Sequence, residues 1–189
     1  MTAFEYLGVF ISVIFGLAIS HLLSGFGSII QLRKRLTIYP LHLIFSINGV
    51  FYLAANWWAY FQWNLNDDWN FIHFMLLLSM SIALYLISDL LMPKHIDADT
   101  DFKKHYFAHH KPIYLNFIIY GILDIPESIM KAAAGNNQVT SLFPLYVVFY
   151  MMFAIIGYFS SNEKVHYTLN FLMPLLALLY IAKYLMELT

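Results

Sequence analysis

Asp124 and Glu127 stand three positions apart, on either side of Pro126, in a stretch otherwise rich in Ile, Leu and Phe. That spacing puts both carboxylates on one face of a helix, and a proline, having no N–H, tends to free a carbonyl one turn back. Two acids beside a spare carbonyl can hold a cation or relay a proton. Glu127 also has Lys131 within reach at i+4, so a plain ion pair is the competing expectation for it. Lys183 with Glu187 one turn on reads as a snorkelling base, and an Asp124–Lys183 pair between helices is the alternative.

Other polar residues recur at helical steps. Asn48, Tyr52, Asn56 and Tyr60 follow one another at intervals of four, as do Asn116, Tyr120 and Asp124. Polar groups in hydrocarbon are costly when unpaired, so both faces are expected to look inward, at other helices or at water. Interhelical hydrogen bonding is one reading. The sharper one is a hydrated path in which Asp124 and Glu127 bind a proton or cation, His21 assists, and Asn48, Tyr52 and Asn56 line the route. His21 qualifies because an imidazole titrates near neutral pH. Asp89 and Lys183 are secondary candidates.

The segment 93–111, PKHIDADTDFKKHYFAHHK, is expected to be a solvated loop. Its Asp97, Asp99 and Asp101 open like a calcium loop, but Phe102 stands where Gly is needed and Ala108 where the closing acid is needed, so an EF-hand is excluded. His105 and His109, one helical turn apart, are weak candidates for a transition metal.

These residues must be positioned by membrane helices. Of 189 residues, 61% are hydrophobic and 11% charged, with 10 basic and 11 acidic side chains and no Cys. A soluble domain averages about 25% charged. The absent Cys removes thiolate chemistry and Cys-ligated metals, and a net charge of -1 gives no field for nucleic acid. Six stretches of suitable length and composition, near 5–31, 41–63, 70–92, 112–131, 141–161 and 166–187, predict an all-α integral membrane protein with six transmembrane helices and no soluble domain. The fourth is the weakest, interrupted by Asp124, Pro126 and Glu127.

Eight of the ten basic residues fall in the loops after spans 1, 3 and 5, with only Lys131 and Lys183 on the other side. The positive-inside rule then sets both termini outside the cytoplasm of a cell (inner or plasma) membrane, with Trp57, Trp58, Trp63 and Trp69 forming an interfacial belt beside Asp67 and Asp68. No Lys or Arg precedes span 1, which argues against a cleaved signal peptide.

A 3+3 inverted repeat is suggested by Val50-Phe51-Tyr52 recurring as Val148-Phe149-Tyr150, and by residues 83–92 resembling 177–186 at five of ten positions. Gly8, Ser12, Gly16, Ser20, Ser24 and Ser28 put a small residue at every fourth position of span 1, a packing stripe that also suits a homo-oligomer.

The chain lacks a potassium-channel filter, an Arg-rich helix, a serine elbow, HExxH and a P-loop, so no enzyme activity is expected. Haem would want paired histidines at matching depth, and spans 4 and 5 hold none. No cofactor is implied. The expectation is a homo-oligomeric channel or transporter for a small ion or solute. Its rival is a non-transporting subunit or sensor that docks a cytoplasmic protein through Arg33, Lys34, Arg35, Lys103 and Lys104. Beyond the lipid bilayer and a second copy of itself, that protein is the one partner the sequence suggests.

Overall fold

A computed structural model describes residues 2–66, 68–134 and 143–184. Among them are six α-helices: α1 (Ala3–Leu32), α2 (Pro40–Tyr60), α3 (Phe71–Leu91), α4 (Phe102–Ala133), α5 (Phe143–Phe159) and α6 (Glu163–Tyr184). A 3-10 turn, Phe61–Leu65, follows α2. The expected starts of the fifth helix at 141 and end of the sixth at 187, with Asp67 and Glu187, lie outside the described residues.

Local chemistry sets the helix starts. Thr2 Oγ1 accepts from the Glu5 N–H at 3.1 Å while Glu5 Oε2 accepts from the Thr2 N–H at 2.8 Å, closing a capping box on α1. Pro40 opens α2, its fixed φ suited to the first helical position. Asn70 accepts from the Ile72 and His73 N–H groups at the start of α3, and Asp101 from Lys104 N–H at the start of α4.

The helices alternate up and down. Neighbours run α1, α3, α4, α5, α6, α2 and back to α1, with α2 also touching α3 and α4. The termini of α1 and α6, the ends of α2 and α4 and all four Trp residues share one end. The other carries Arg33–Arg35, the end of α3 and the starts of α4 and α6. The two halves do not pack alike, because the backbones of α1 and α3 run close together whereas α4 and α6 meet through side chains such as Tyr106 and His166.

The interior is mostly apolar with a few buried polar groups, and, unlike a water-soluble bundle, the exterior is apolar too. Val9 is 63% exposed, Phe71 72% and Phe159 77%, and Leu, Ile and Val cover the outside along the other helices too. His42, Ser46, Ser88, Glu127, Lys131, His166 and Asn170 are buried. An apolar exterior far beyond isolated side chains suits a hydrocarbon solvent. Helices α1, α3, α4 and α6 are long and apolar enough to cross a membrane, and α5, at 17 residues, is apolar but shorter. The chain is thus compatible with a multi-pass membrane location. Helix α2 is long enough but more polar, as its Asn and Tyr face requires.

Two expectations are corrected. The segment 93–111 is a loop only in its first half: α4 begins at Phe102, where Phe102 and Tyr106 are each 1% exposed and His110 is buried. Their spacing of four continues the inward stripe through Ile113, Tyr114 and Phe117, so this part of the segment is pinned to the bundle rather than solvated. Nor do the prolines interrupt the helix, since α4 runs through both Pro112 and Pro126.

Candidate functional site

Helix α4 brings its polar face against α2 near the Trp-rich end of the bundle. Glu127 and Lys131, 5% and 6% exposed, form an ion pair at 2.6 Å. The fully buried Trp63 donates its indole N–H to Glu127 Oε1 at 2.8 Å, and Lys131 Nζ donates to the Ala59 carbonyl at 3.1 Å from 5.9 Å over the Trp63 ring. Each charge has a counter-charge and a second partner, which a buried pair needs to persist. The ion-pair expectation for Glu127 therefore describes its geometry, and Glu127 is not a free cation ligand.

Asp124, one turn back, is different. Among the described residues none donates a hydrogen bond to its carboxylate. It lines two cavities at once. The first, about 90 Å³, lies between α2, α4, α5 and α6, with Tyr52, Asn56, Tyr120, Tyr146, Tyr150 and Tyr180 in its wall. The second, about 70 Å³, lies between α1, α2, α3 and α4, against Ile11, Phe15, Tyr60 and Ser81. Asn56, Tyr120, Asp124, Glu127 and Lys131 belong to both walls, so this cluster is the partition between them.

The other predicted path residues are only partly gathered. Asn56 sits beside Asp124, its Nδ2 donating to its own helix at the Tyr52 carbonyl at 2.8 Å and its Oδ1 accepting from the Tyr120 hydroxyl. Tyr52 lines the larger cavity, its hydroxyl buried and without a partner among the described residues. Asn48 is two turns away and donates to the Asn170 carbonyl at 2.7 Å, a link from α2 to α6 outside both cavities. His21 belongs to the other end, and the expected partnership with Asp124 is not formed. Asp89 faces Lys94 at 3.7 Å on the surface, and Lys183, in the last turn of α6, lines neither cavity.

The histidines have a role that spacing did not reveal. His21 from α1, His42 from α2 and His105 from α4 converge on the last carbonyls of α3, with Nε2 at 3.3 Å from Met92 O, 2.7 Å from Leu91 O and 3.1 Å from Leu90 O. Three helices thus cap the orphan acceptors of a fourth. His42→Ala is expected to destabilise the protein by about 1–3 kcal/mol, since it leaves a buried carbonyl unpaired. Equilibrium unfolding in mixed micelles measures this, and no change would mean that another donor replaces the imidazole. His109 Nδ1 lies 2.9 Å from the His105 carbonyl, and no group of three metal-ligating side chains forms among the described residues. The His105–His109 metal expectation thus finds no third ligand.

The basic end carries the predicted docking residues. Arg33, Lys34 and Arg35 are exposed just past α1, with Arg33 Nη1 folded back onto the Ile30 carbonyl. Lys103 is paired to Glu163 at 2.7 Å, joining the starts of α4 and α6, and lies over Tyr39, while Lys104 is exposed. Burial, with the Glu163 carboxylate nearby, raises the Tyr39 phenol above its ordinary value.

The small-residue stripe of α1 does not pack inside the chain. Gly16, Ser20 and Ser24 are exposed, Ser12 and Ser28 bond their own helix, and Gly8 approaches Tyr60. Ile11, Phe15, Ala18, Leu22, Gly25 and Ile29 form the inward face instead.

Sequence reasoning missed Trp63, Tyr146, Tyr150 and Tyr180 as parts of the site. The spacing of Tyr146 and Tyr150 at i and i+4, opposite the polar face of α4, was the available signal. In comparisons with protein-family models, curated proteins and solved structures, nothing matches this chain.

Proposed function

We propose that the chain is a six-span membrane protein that moves a proton or small cation through its helix bundle, with Asp124 as the binding group. The observation that carries this reading is the charge balance of the buried cluster. Glu127 and Lys131 neutralise each other, and Asp124 is left with a carboxylate that no donor satisfies among the described residues and that lines both cavities. An ionised carboxylate in such surroundings is stable only with one added positive charge, a proton or a cation. Loading and unloading that charge from either cavity is the elementary step of transport. Asn56 and Tyr120, hydrogen-bonded to each other beside Asp124, orient the partition.

In this reading the basic end faces the cytoplasm and both termini lie outside, in the cell membrane. The exposed Gly16, Ser20 and Ser24 of α1 form the surface on which two copies meet.

Ion flux in liposomes under proton, potassium, sodium and chloride gradients tests the proposal. Asp124→Asn, which keeps the shape and removes the charge, is expected to abolish flux while leaving insertion and helical content unchanged. A wild type that is silent under every gradient overturns constitutive transport. The exposed Arg33, Lys34 and Arg35 support a second reading, a subunit that docks an acidic cytoplasmic protein. Co-purification of such a protein, lost when all three become Ala, would favour it.

A further inference from the structure

We propose that the larger cavity is a site for a small alkylated ammonium ion. The proposal rests on the reading of Asp124 as a cation-binding group and specifies which cation fits.

The composition of the wall carries the argument. Tyr52, Tyr120, Tyr146, Tyr150, Tyr180 and Phe117 surround a space lined by Asp124, whose carboxylate has no donor among the described residues. Tyr146 stacks on Tyr180 with ring centroids 4.6 Å apart and planes at 28°, and on Tyr150 at 6.1 Å and 25°. Three rings therefore form one aromatic stack joining α5 to α6, in the same wall as the acid on α4. Aromatic faces carry negative potential and attract cations that have shed their water, and quaternary ammonium groups are held this way elsewhere. A bare alkali or divalent ion is held by a full shell of oxygen ligands, whereas this wall sets a few hydroxyl, amide and carboxylate oxygens among broad ring surfaces, which suits a cation that itself carries apolar groups. An ammonium ion bearing methyl groups places its charge on Asp124 and its methyls on the rings.

Size and polarity agree. At about 90 Å³ the space takes a compact ion of a few heavy atoms, as a methylated ammonium is, and no extended one. The Tyr52 hydroxyl, buried and without a partner among the described residues, offers an acceptor that a partly alkylated ammonium N–H can use. Lys131 also lines the cavity, but its charge is met by Glu127 at 2.6 Å, so the ligand answers to Asp124 alone.

Calorimetric titration of the purified full-length protein in detergent, with tetramethylammonium, methylammonium and sodium chlorides as probes, tests this. Tetramethylammonium is expected to bind, Asp124→Asn to weaken it at least about tenfold, and Tyr146→Leu to weaken it about twofold to thirtyfold. Tyr146→Phe, which keeps the ring, is expected to bind like wild type and controls for misfolding. Equal affinity for sodium, or indifference to Tyr146→Leu in a protein of wild-type helical content, overturns the proposal. Asp124-dependent proton flux without ammonium binding overturns it and leaves the transport reading standing. Ammonium binding without flux under any gradient, including one of the ammonium ion, upholds the site and overturns transport. Neither binding nor flux overturns both.

Discussion

Lys131→Met is expected to destabilise the protein by about 3–5 kcal/mol, because it removes one charge of a buried pair and leaves the other. Glu127 would keep the Trp63 indole as a donor but lose its counter-charge in a site where side-chain exposure is 7%. Met matches the Lys stem in length, so packing changes little and the loss reports the stranded carboxylate. The double variant Glu127→Gln/Lys131→Met removes both charges and leaves an amide to accept from Trp63. It is expected to recover most of the stability, to within about 1 kcal/mol of wild type, since a buried pair is often no better than neutral groups of its own shape. Titration with SDS in mixed micelles, followed by helical circular dichroism, measures both. A single variant as stable as wild type would mean that water reaches the pair.

Gly157→Ala is the second large effect. A Cβ at Gly157 would fall onto the ring of Tyr114, which is wholly buried and held by Phe45, Phe117 and His166 at centroid distances of 5.7, 6.2 and 5.5 Å. The ring has nowhere to go, so α5 must move away from α4. Such overpacking costs about 1–3 kcal/mol, partly offset by up to about 1 kcal/mol of helix propensity. Gly16→Ala is the contrast. Its Cβ meets nothing within 4 Å, so only the propensity gain remains within one chain. Paired unfolding curves check the prediction, and it fails if the two substitutions behave alike.

The helices were legible because their signal is additive. Twenty apolar residues in a row outweigh any single proline, which is why α1 and α3 fall within a few residues of their expected bounds. The start of α4 was not legible in the same way. Lys103, Lys104, His105, His109 and Lys111 give that segment the composition of a loop, and only the four-residue spacing of Phe102, Tyr106 and His110 records its buried face. At the site, Asp124 and Glu127 were visible as acids in an apolar stretch, and spacing alone paired Glu127 with Lys131. What separates their roles is Trp63, 64 positions from Glu127. Contacts across such a distance depend on which helices become neighbours, which periodicity does not encode. The small-residue stripe left its partner open for the same reason, since it marks a face able to pack closely without naming what packs there.

The crowding of all four tryptophans at one end gives the molecule an optical polarity. Trp57 and Trp58 close α2, Trp63 follows in the 3-10 turn and Trp69 precedes α3, while the end bearing Arg33–Arg35 has none. Fluorescence excited at the red edge, where tryptophan absorbs and tyrosine does not, therefore comes from a single end of the bundle. Trp57 and Trp58, each about 40% exposed, are open to a collisional quencher such as iodide, and Trp63 is shielded. In a vesicle, the emission lost to a quencher added outside, divided by that lost once the vesicle is opened to it, gives the share of molecules with that end outward. The protein thus carries its own gauge of sidedness, without a label.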